Sequence, residues 1–579
     1  MECLHWAVMN HAEVCPEDIA LIDAGSGRSV SYGELKARAT AVAAGISEKD
    51  IKGVPVALTL PRGIEQIESA LGILLSGNSY LPVSLSQPKD RRALIHEKTG
   101  VRYVVTNREL SEKLDWPEGT EILVMEGMEE GQENVRMPEV SPKDSAYIIM
   151  TSGSTGVPKG VEIAHESAWN TVQDINEKYH VTSADRALAV SAMDFDLSVY
   201  DVFGILGAGG TLVLLPEQER RNADYWLEQV LKYQITVWNS VPVLLDMLLI
   251  RAESMKQKLP IRAVMLSGDW IGMDLPQRVA AWTEDCQFVA MGGATEASIW
   301  SNYQNVTLPM PKNWKSIPYG KPLRYQAYRV VDEYGRDCPY WAEGELWIGG
   351  FGVAKGYRGD SALTGQKFIT DQYGRWYRTG DLGRIWDDET IEFLGRKDHQ
   401  VKIRGHRIEL GEIEHAIQEF PGVAHAVVDT VSDGHGNKTL AAYIGAPIQE
   451  DSKVTTYLYG TDIFGGGWKE LKDDVSNWQM QQERKTAYKN FLAYADQRCV
   501  QLMLETLIEL GIFVSEKEVL SQKEIFEKGS ITETQKNTVA RWLEILKKEG
   551  ILREEDGRLS RTGKEVAVTG KSWRCGNVF

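Results

Sequence analysis

The chain has 579 residues, 43% hydrophobic and 25% charged, with a formal net charge of −18. That length exceeds what one hydrophobic core serves, so two to four domains are expected, and the acidic balance disfavours nucleic-acid backbones and anionic membranes as partners. Six scattered cysteines without a C-x-x-C pair argue against a disulfide scaffold or a zinc site and fit a reducing cytoplasm.

The opening stretch, MECLHWAVMN, lacks a basic segment followed by a long apolar core, so no secretory signal is expected. No apolar run reaches the roughly 18 residues needed to span a bilayer. Residues 54–60, VPVALTL, read as a buried strand, and Ile64, Ile67, Leu71 and Leu74 then form one stripe of an amphipathic helix. YVVT at 103, AYIIM at 146, TLVLL at 211, ITVWN at 235 and RAVMLSG at 262 continue the alternation. The pattern predicts a layered α/β fold with mostly parallel sheets, whose ligands gather at loops leaving the carboxyl ends of strands.

One such loop is TSGSTGVPKG at 151–160. Its backbone N–H groups, hydroxyls and Lys159 suit anionic oxygens. It nearly spells the mononucleotide P-loop, but Pro158 stands where a glycine should precede the lysine and Gly160 where a hydroxyl should follow it. Proline donates no N–H and glycine offers no metal ligand, so an ordinary P-loop ATPase is excluded. A helix-like segment, HESAWNTVQDINEKY, is expected after Lys159.

Near residue 396 the composition shifts. GRKDHQVKIRGHRIELGEIEHAIQEF reads as a polar hinge, a strand and an amphipathic helix, with HAVVDTV and TLAAYI as two further strands. Beyond the Gly-rich GTDIFGGGWKE, helices are predicted near 483–511 and at 532–549, the second with Val539, Trp542, Leu543 and Leu546 on one face. ILREEDGRLSRTG then reads as a hairpin turning at Asp556-Gly557. The outline is that of a winged helix. Because its 532–549 helix mixes acids and bases, a packing module is preferred to a DNA-binding one.

Eight stretches in order carry a family resemblance: VSYGELKARA at 30, LLSGNSYLPV at 74, TSGSTGVPKG at 151, FDLSVYDVFGILGAGGTLVL at 195, GGATEASIW at 292, GELWIGGFGVAKGY at 344, YRTGDL at 377 and GRKDHQVKIRGHRIELGEIE at 395. Over roughly residues 20–445 the chain resembles the adenylation domains of nonribosomal peptide synthetases, within the adenylate-forming superfamily. The resemblance implies three parts. Residues 1–395 would be a large core subdomain of layered parallel sheets and helices, 396–450 the start of a small α/β C-terminal subdomain, and 451–579 a helical, winged-helix-like insertion or tail.

It also implies a reaction. An amino-acid carboxylate attacks the α-phosphate of ATP, pyrophosphate leaves, and a phosphopantetheine thiol on a partner carrier protein then takes the acyl group. By resemblance Thr151, Ser152, Gly153, Ser154, Thr155 and Lys159 hold the leaving phosphates. Glu296 and Thr151 ligate Mg²⁺, and Gly293, Ala294 and Thr295 line the nucleotide. Asp381 accepts the ribose hydroxyls, Arg396 reaches the nucleotide, and Asp398 is the hinge. Asp196 takes the place of the carboxylate that receives a substrate α-ammonium, which separates amino-acid activation from acyl-CoA synthetases. Leu197, Tyr200, Asn239, Met265, Ser267, Met291, Ile299 and Trp300 complete a pocket like those of cysteine-activating domains, with serine, threonine or another small residue as the alternatives. Peptidyl carrier protein and neighbouring synthetase modules are the implied partners, in the cytoplasm.

Two departures stand out. Gly292 replaces the aromatic residue that stacks on adenine in the family. The closing segment, P-x-T-x-N-G-K-like, is not found either; Lys564 in SRTGKEV and Lys571 in VTGKSWR echo it faintly. The tail instead resembles the start of a methyltransferase-like insertion, without a Gly-rich S-adenosylmethionine motif, so no methylation is expected. A fragment of a larger synthetase that binds its substrates but turns over poorly is therefore the competing expectation.

Overall fold

The computed structural model describes residues 2–128, 137–152 and 158–397, then 400–445 without 404, 405, 421, 422, 424 and 433–437, and 497–564 without 498, 516 and 556. The chain divides into two units, Met1–Gly460 and Thr461–Phe579.

Local chemistry sets the elements of the first unit. Ser31 starts the helix Tyr32–Ser47: its hydroxyl accepts the Glu34 N–H at 3.2 Å, and the Glu34 carboxylate accepts the Ser31 N–H at 2.7 Å. This reciprocal cap is what the motif VSYGELKARA encodes. The next helix, Ile64–Leu75, buries the whole predicted stripe of Ile64, Ile67, Leu71 and Leu74. It packs so close to Tyr32–Ser47 that a Cβ at Gly72 would meet Val42 at 2.6 Å.

Among the described residues this unit holds three large sheets. In the first, Gln287–Gly292, Ala263–Leu266, Val237–Ser240, Arg186–Ala189, Thr211–Leu214 and Ile19–Asp23 are parallel neighbours in that order. Antiparallel strands Asn302–Val306 and Lys321–Pro322 extend one edge, and Ser29–Ser31 the other. The second runs Gly356–Tyr357, Lys159–Ala164, Ser145–Thr151, Ser79–Pro82, Pro55–Leu58, Tyr103–Thr106, Glu121–Val124. The third is antiparallel and joins Gln326–Val331, Gly344–Gly350, Gly374–Ile385, Phe368–Asp371 and Ile391–Arg396. Pro55–Leu58, Thr211–Leu214, Val237–Ser240 and Ala263–Leu266 are buried at every position. Parallel strands covered on both faces have this continuous burial, which is why the sequence shows short apolar runs rather than alternation.

The expected helix over HESAWNTVQDINEKY is present as His165–Lys178; the strand Lys159–Ala164, not foreseen from the sequence, precedes it and pairs antiparallel with Ser145–Thr151. Thr151 and Lys159, which flank the Gly/Ser/Thr run, are thus partners in an antiparallel pair of strands.

After residue 396 come the hairpin Gln400–Ile403 with His406–Glu409, the helix Leu410–Gln418, and the antiparallel pair His425–Ser432 and Lys438–Gly445. The second unit begins, among described residues, with a helix across 499–509. Val519–Ser521, Gln522–Lys528, Glu533–Lys548, Leu552–Glu555 and Arg558–Arg561 follow. Its strands stand in the order first, third, second, the arrangement of a winged helix. Leu507, Ile512, Phe513, Ile525, Leu543, Leu546 and Leu559 form its own core. Asp556, at the predicted turn, lies outside the described residues. No described helix is long and apolar enough to cross a membrane, and the described cysteines Cys3, Cys15, Cys286, Cys338 and Cys499 are unpaired thiols.

Candidate active site

The first unit contains a cleft of about 610 Å³, counting its solvent-open mouth. Ten residues singled out from sequence line it: Asp196, Leu197, Ser267, Gly293, Ala294, Thr295, Ile299, Trp300, Asp381 and Arg396. They come from five segments that meet where parallel strands end. Ser267 follows Ala263–Leu266, and Gly293 follows Gln287–Gly292. Asp196 precedes the short helix Leu197–Val199, while Asp381 and Arg396 lie on the paired strands Gly374–Ile385 and Ile391–Arg396.

Asp196 is buried, 6% exposed, and its Oδ2 accepts the Thr295 hydroxyl at 2.7 Å. It makes no side-chain cap to its helix, so its carboxylate is placed for something other than helix capping. Across the cleft, Arg396 Nη1 pairs with Asp381 Oδ1 at 2.6 Å and donates to the Thr379 carbonyl at 3.2 Å. Thr379 Oγ1 accepts the Asp381 N–H at 2.9 Å. The acid expected at ribose and the arginine expected at nucleotide thus sit as register partners of one sheet.

Tyr200, Asn239, Met265 and Met291, expected in the pocket, are each buried and none is among the cleft's lining residues. Tyr200 belongs to a π-helical turn, Tyr200–Gly204; its hydroxyl donates to Asn176 Oδ1 at 2.9 Å and its ring lies 5.1 Å from that of Trp300. A Cβ on Gly204 would meet the Tyr200 ring at 2.6 Å. Such single π turns recur at functional sites. Trp300 Nε1 donates to Ser267 Oγ at 2.8 Å, fixing one polar wall.

The phosphate-loop residues form a second cluster. Thr151 and Lys159 are register partners at the end of their strand pair, with Ser152 next in line; Gly153, Ser154, Thr155 and the hinge residue Asp398 lie outside the described residues. Lys159 Nζ stands 5.9 Å over the ring of Tyr357, whose hydroxyl donates to Glu296 Oε1 at 2.8 Å. Glu296 is almost wholly buried. Tyr357 therefore links the lysine to the acid. Sequence reading missed it, together with Phe195, Gly268, Tyr377 and Thr379 of the cleft wall; the only signal for Tyr357 was its position at the end of GELWIGGFGVAKGY. The carboxylate of Glu296 and the hydroxyl of Thr151 are hard oxygen donors, and that chemistry fits Mg²⁺.

At Gly292 a Cβ would meet Asn302 Oδ1 at 2.8 Å. Asn302, itself buried and donating to the Tyr328 hydroxyl at 2.6 Å, fills the space beside the missing aromatic. Gly293 has φ +150°, and a Cβ there would meet the Ser301 N at 2.9 Å, so this turn requires glycine.

The profile of the family described as AMP-binding enzyme matches residues 8–358. The chain is 46% identical over 475 residues to a Vibrio anguillarum protein named anguibactin system regulator, covering 80% of this chain and 44% of that protein. It is 47% identical over 443 residues to pyochelin synthetase PchE of Pseudomonas aeruginosa, covering 76% and 30%. The chain thus spans less than half the length of these curated relatives. Among solved structures it resembles the nonribosomal peptide synthetase FmoA3 in a form bound to alpha-methyl-L-serine-AMP, with TM-score 0.65 and 36% identity, covering 76% of this chain and 49% of that one. With the profile match extending over more than half of its length, the chain belongs to the AMP-binding enzyme family.

Proposed function

We propose that this chain is an AMP-forming ligase that activates an amino acid, L-cysteine, as its adenylate for thioester transfer to a phosphopantetheinyl carrier in a nonribosomal peptide synthetase. The observation that carries this reading is the shared cleft. A buried carboxylate, Asp196, faces the same space as the Asp381–Arg396 pair, although 185 residues separate the two acids in sequence.

The roles follow from charge and geometry. Asp196, held by Thr295, receives the substrate α-ammonium; a buried carboxylate is tolerable when a cation meets it and costly otherwise. Asp381 accepts the ribose hydroxyls, with Arg396 offsetting its charge. Lys159, Thr151 and Ser152 hold the phosphates at the end of that strand pair. The substrate carboxylate oxygen bonds to the α-phosphorus of ATP, the bond from that phosphorus to the bridging oxygen breaks, and pyrophosphate leaves with the electron pair. Mg²⁺, held by Glu296 and Thr151, would neutralise phosphate charge. Little covalent chemistry is asked of the protein, so orientation and charge placement dominate.

Support for cysteine over larger acids comes from Ser267 on the cleft wall, with its limited polarity, and from the pocket positions implied by the resemblance, Asn239, Met265 and Met291, which are buried but do not line the cleft and bring an amide and polarizable sulfur. The test is amino-acid-dependent ATP–pyrophosphate exchange across the proteinogenic amino acids and salicylate. Exchange strongest with cysteine is expected, reduced about a hundredfold or more in Asp196→Ala. Strongest exchange with another amino acid would sink the cysteine assignment and keep the reaction.

A second reading is a binding fragment with weak turnover. It is favoured by Lys564, whose Nζ donates to the Glu549 carbonyl at 2.6 Å in the second unit. ATP binding without exchange for any acid would establish it.

A further inference from the structure

None of His11, Cys15 and Asp18 lines the cleft, yet they bring an imidazole nitrogen, a thiol and a carboxylate oxygen within 4.8 Å of one another. The backbone dictates this meeting. His11 lies in the last turn of the helix Trp6–Val14, and Cys15, one turn on, caps that helix by donating its N–H to the His11 carbonyl at 2.8 Å. Pro16 and Asp18 then turn the chain back. Their carbonyls accept the N–H groups of Gly33 and Tyr32, each at 2.8 Å, at the start of the helix Tyr32–Ser47. The imidazole is clamped as well: its ring meets that of Tyr32 edge-on at 4.5 Å, and a Cβ on Gly209 would touch its Cε1 at 2.5 Å. Nε2 faces Asp18 Oδ2 at 3.2 Å.

We propose that His11, Cys15 and Asp18 form a binding site for a divalent transition-metal ion, Zn²⁺ in preference to Mg²⁺ or Ca²⁺, which ties the helix Trp6–Val14 to the turn leading into the strand Ile19–Asp23. Tetrahedral zinc, bonded to nitrogen, oxygen and sulfur at about 2.0–2.3 Å, holds its ligand atoms about 3.3–3.5 Å apart. The His11–Asp18 pair already has nearly that spacing, and the thiol comes into range by rotation about one side-chain bond. A thiolate and a carboxylate together balance the charge of a dication. Sulfur and imidazole donors favour zinc over the hard, oxygen-seeking cations. Binding releases the Cys15 thiol proton to solvent. The Asp18 side chain is half exposed, which gives the ion a route in, and three protein ligands leave a fourth position for water. The absence of a C-x-x-C pair does not bear on this site, because H-x-x-x-C-x-x-D supplies one ligand of each kind. Nor does the site depend on the proposed adenylating function.

The experiment titrates the full chain, reduced and freed of metal, with Co²⁺ as a spectroscopic stand-in, in excess Mg²⁺ to fill oxygen-donor sites. A single equivalent is expected to give the near-ultraviolet charge-transfer absorption of a cobalt–thiolate bond, and Zn²⁺ to abolish it. Cys15→Ser is expected to remove that absorption, and His11→Ala and Asp18→Ala each to weaken Co²⁺ binding by at least about tenfold. No absorption in the unmodified chain, or its persistence in Cys15→Ser, overturns the proposal. If Cys15→Ser lacks a cooperative unfolding transition, the exposed position Asp18 decides: unchanged Co²⁺ affinity in Asp18→Ala overturns the site.

Discussion

Tyr357 joins two charged groups that the sequence presents far apart. Its hydroxyl holds Glu296 Oε1 at 2.8 Å, and its ring lies under Lys159 Nζ. Tyr357→Phe keeps the ring and removes one donor from a buried carboxylate. Leaving such a group short of a donor costs on the order of 1–2 kcal/mol. Exchange is therefore expected to fall about five- to thirtyfold, with the Mg²⁺ concentration for half-maximal rate raised. An unchanged Mg²⁺ dependence would remove Tyr357 from the metal side of the site. Acids inside compact motifs, Asp196, Glu296 and Asp381, were legible in sequence because each sits within a short recognisable string. Tyr357 was not, because its role depends on Gly356–Tyr357 pairing with Lys159–Ala164 across the sheet. Asp201 was hidden for a different reason: it lies inside the legible string FDLSVYD, yet only the fold brings its Oδ1 within 2.8 Å of Asn239 Nδ2.

The N-terminal helix Trp6–Val14 is anchored at its start by a pair of buried histidines. The Leu4 N–H donates to His165 Nδ1 at 3.1 Å, and the rings of His5 and His165 meet edge-on at 5.4 Å. Burial holds both imidazoles neutral, lowering His5 to about 4 and, with His5 and Lys355 adding repulsion, His165 to about 3. Unfolded histidines take up protons near pH 6.5, so between pH 6.5 and 4 the unfolded state binds up to two more protons than the native one. Stability therefore falls as pH falls, by at most about 2.7 kcal/mol per pH unit from this pair. Urea unfolding at pH 5 and pH 6 is expected to show that slope, and His165→Gln to remove about half of it. An identical slope in the variant would place the acid sensitivity elsewhere. Elements of this kind were readable where periodicity is strong: the stripe of Ile64–Leu75 and the apolar strands all appear where the pattern put them. Lys159–Ala164 was unreadable as a strand because it follows a Gly/Ser run and its partners, Ser145–Thr151 and Gly356–Tyr357, include one nearly two hundred residues away.

At the scale of the whole chain, the two units carry separate cores, and only the first contains the motifs of an AMP-binding enzyme. The second unit accounts for Lys564 within itself. The lysine follows the strand Arg558–Arg561, and its Nζ donates to the carbonyl of Glu549, the C-terminal capping residue of the helix Glu533–Lys548. Cations at that end satisfy orphan carbonyls and oppose the helix dipole. A lysine with that local task has no need of a role in adenylation, despite the likeness of SRTGKEV to a closing motif. Lys564→Ala is therefore expected to leave cysteine-dependent exchange within about twofold of the unmodified chain while lowering the unfolding temperature of the second unit. Both are read on one preparation, by exchange and by calorimetry. Loss of exchange with the unfolding of both units unchanged would instead make Lys564 the missing charge of the reaction, and the second unit a working part of the enzyme rather than a packing module.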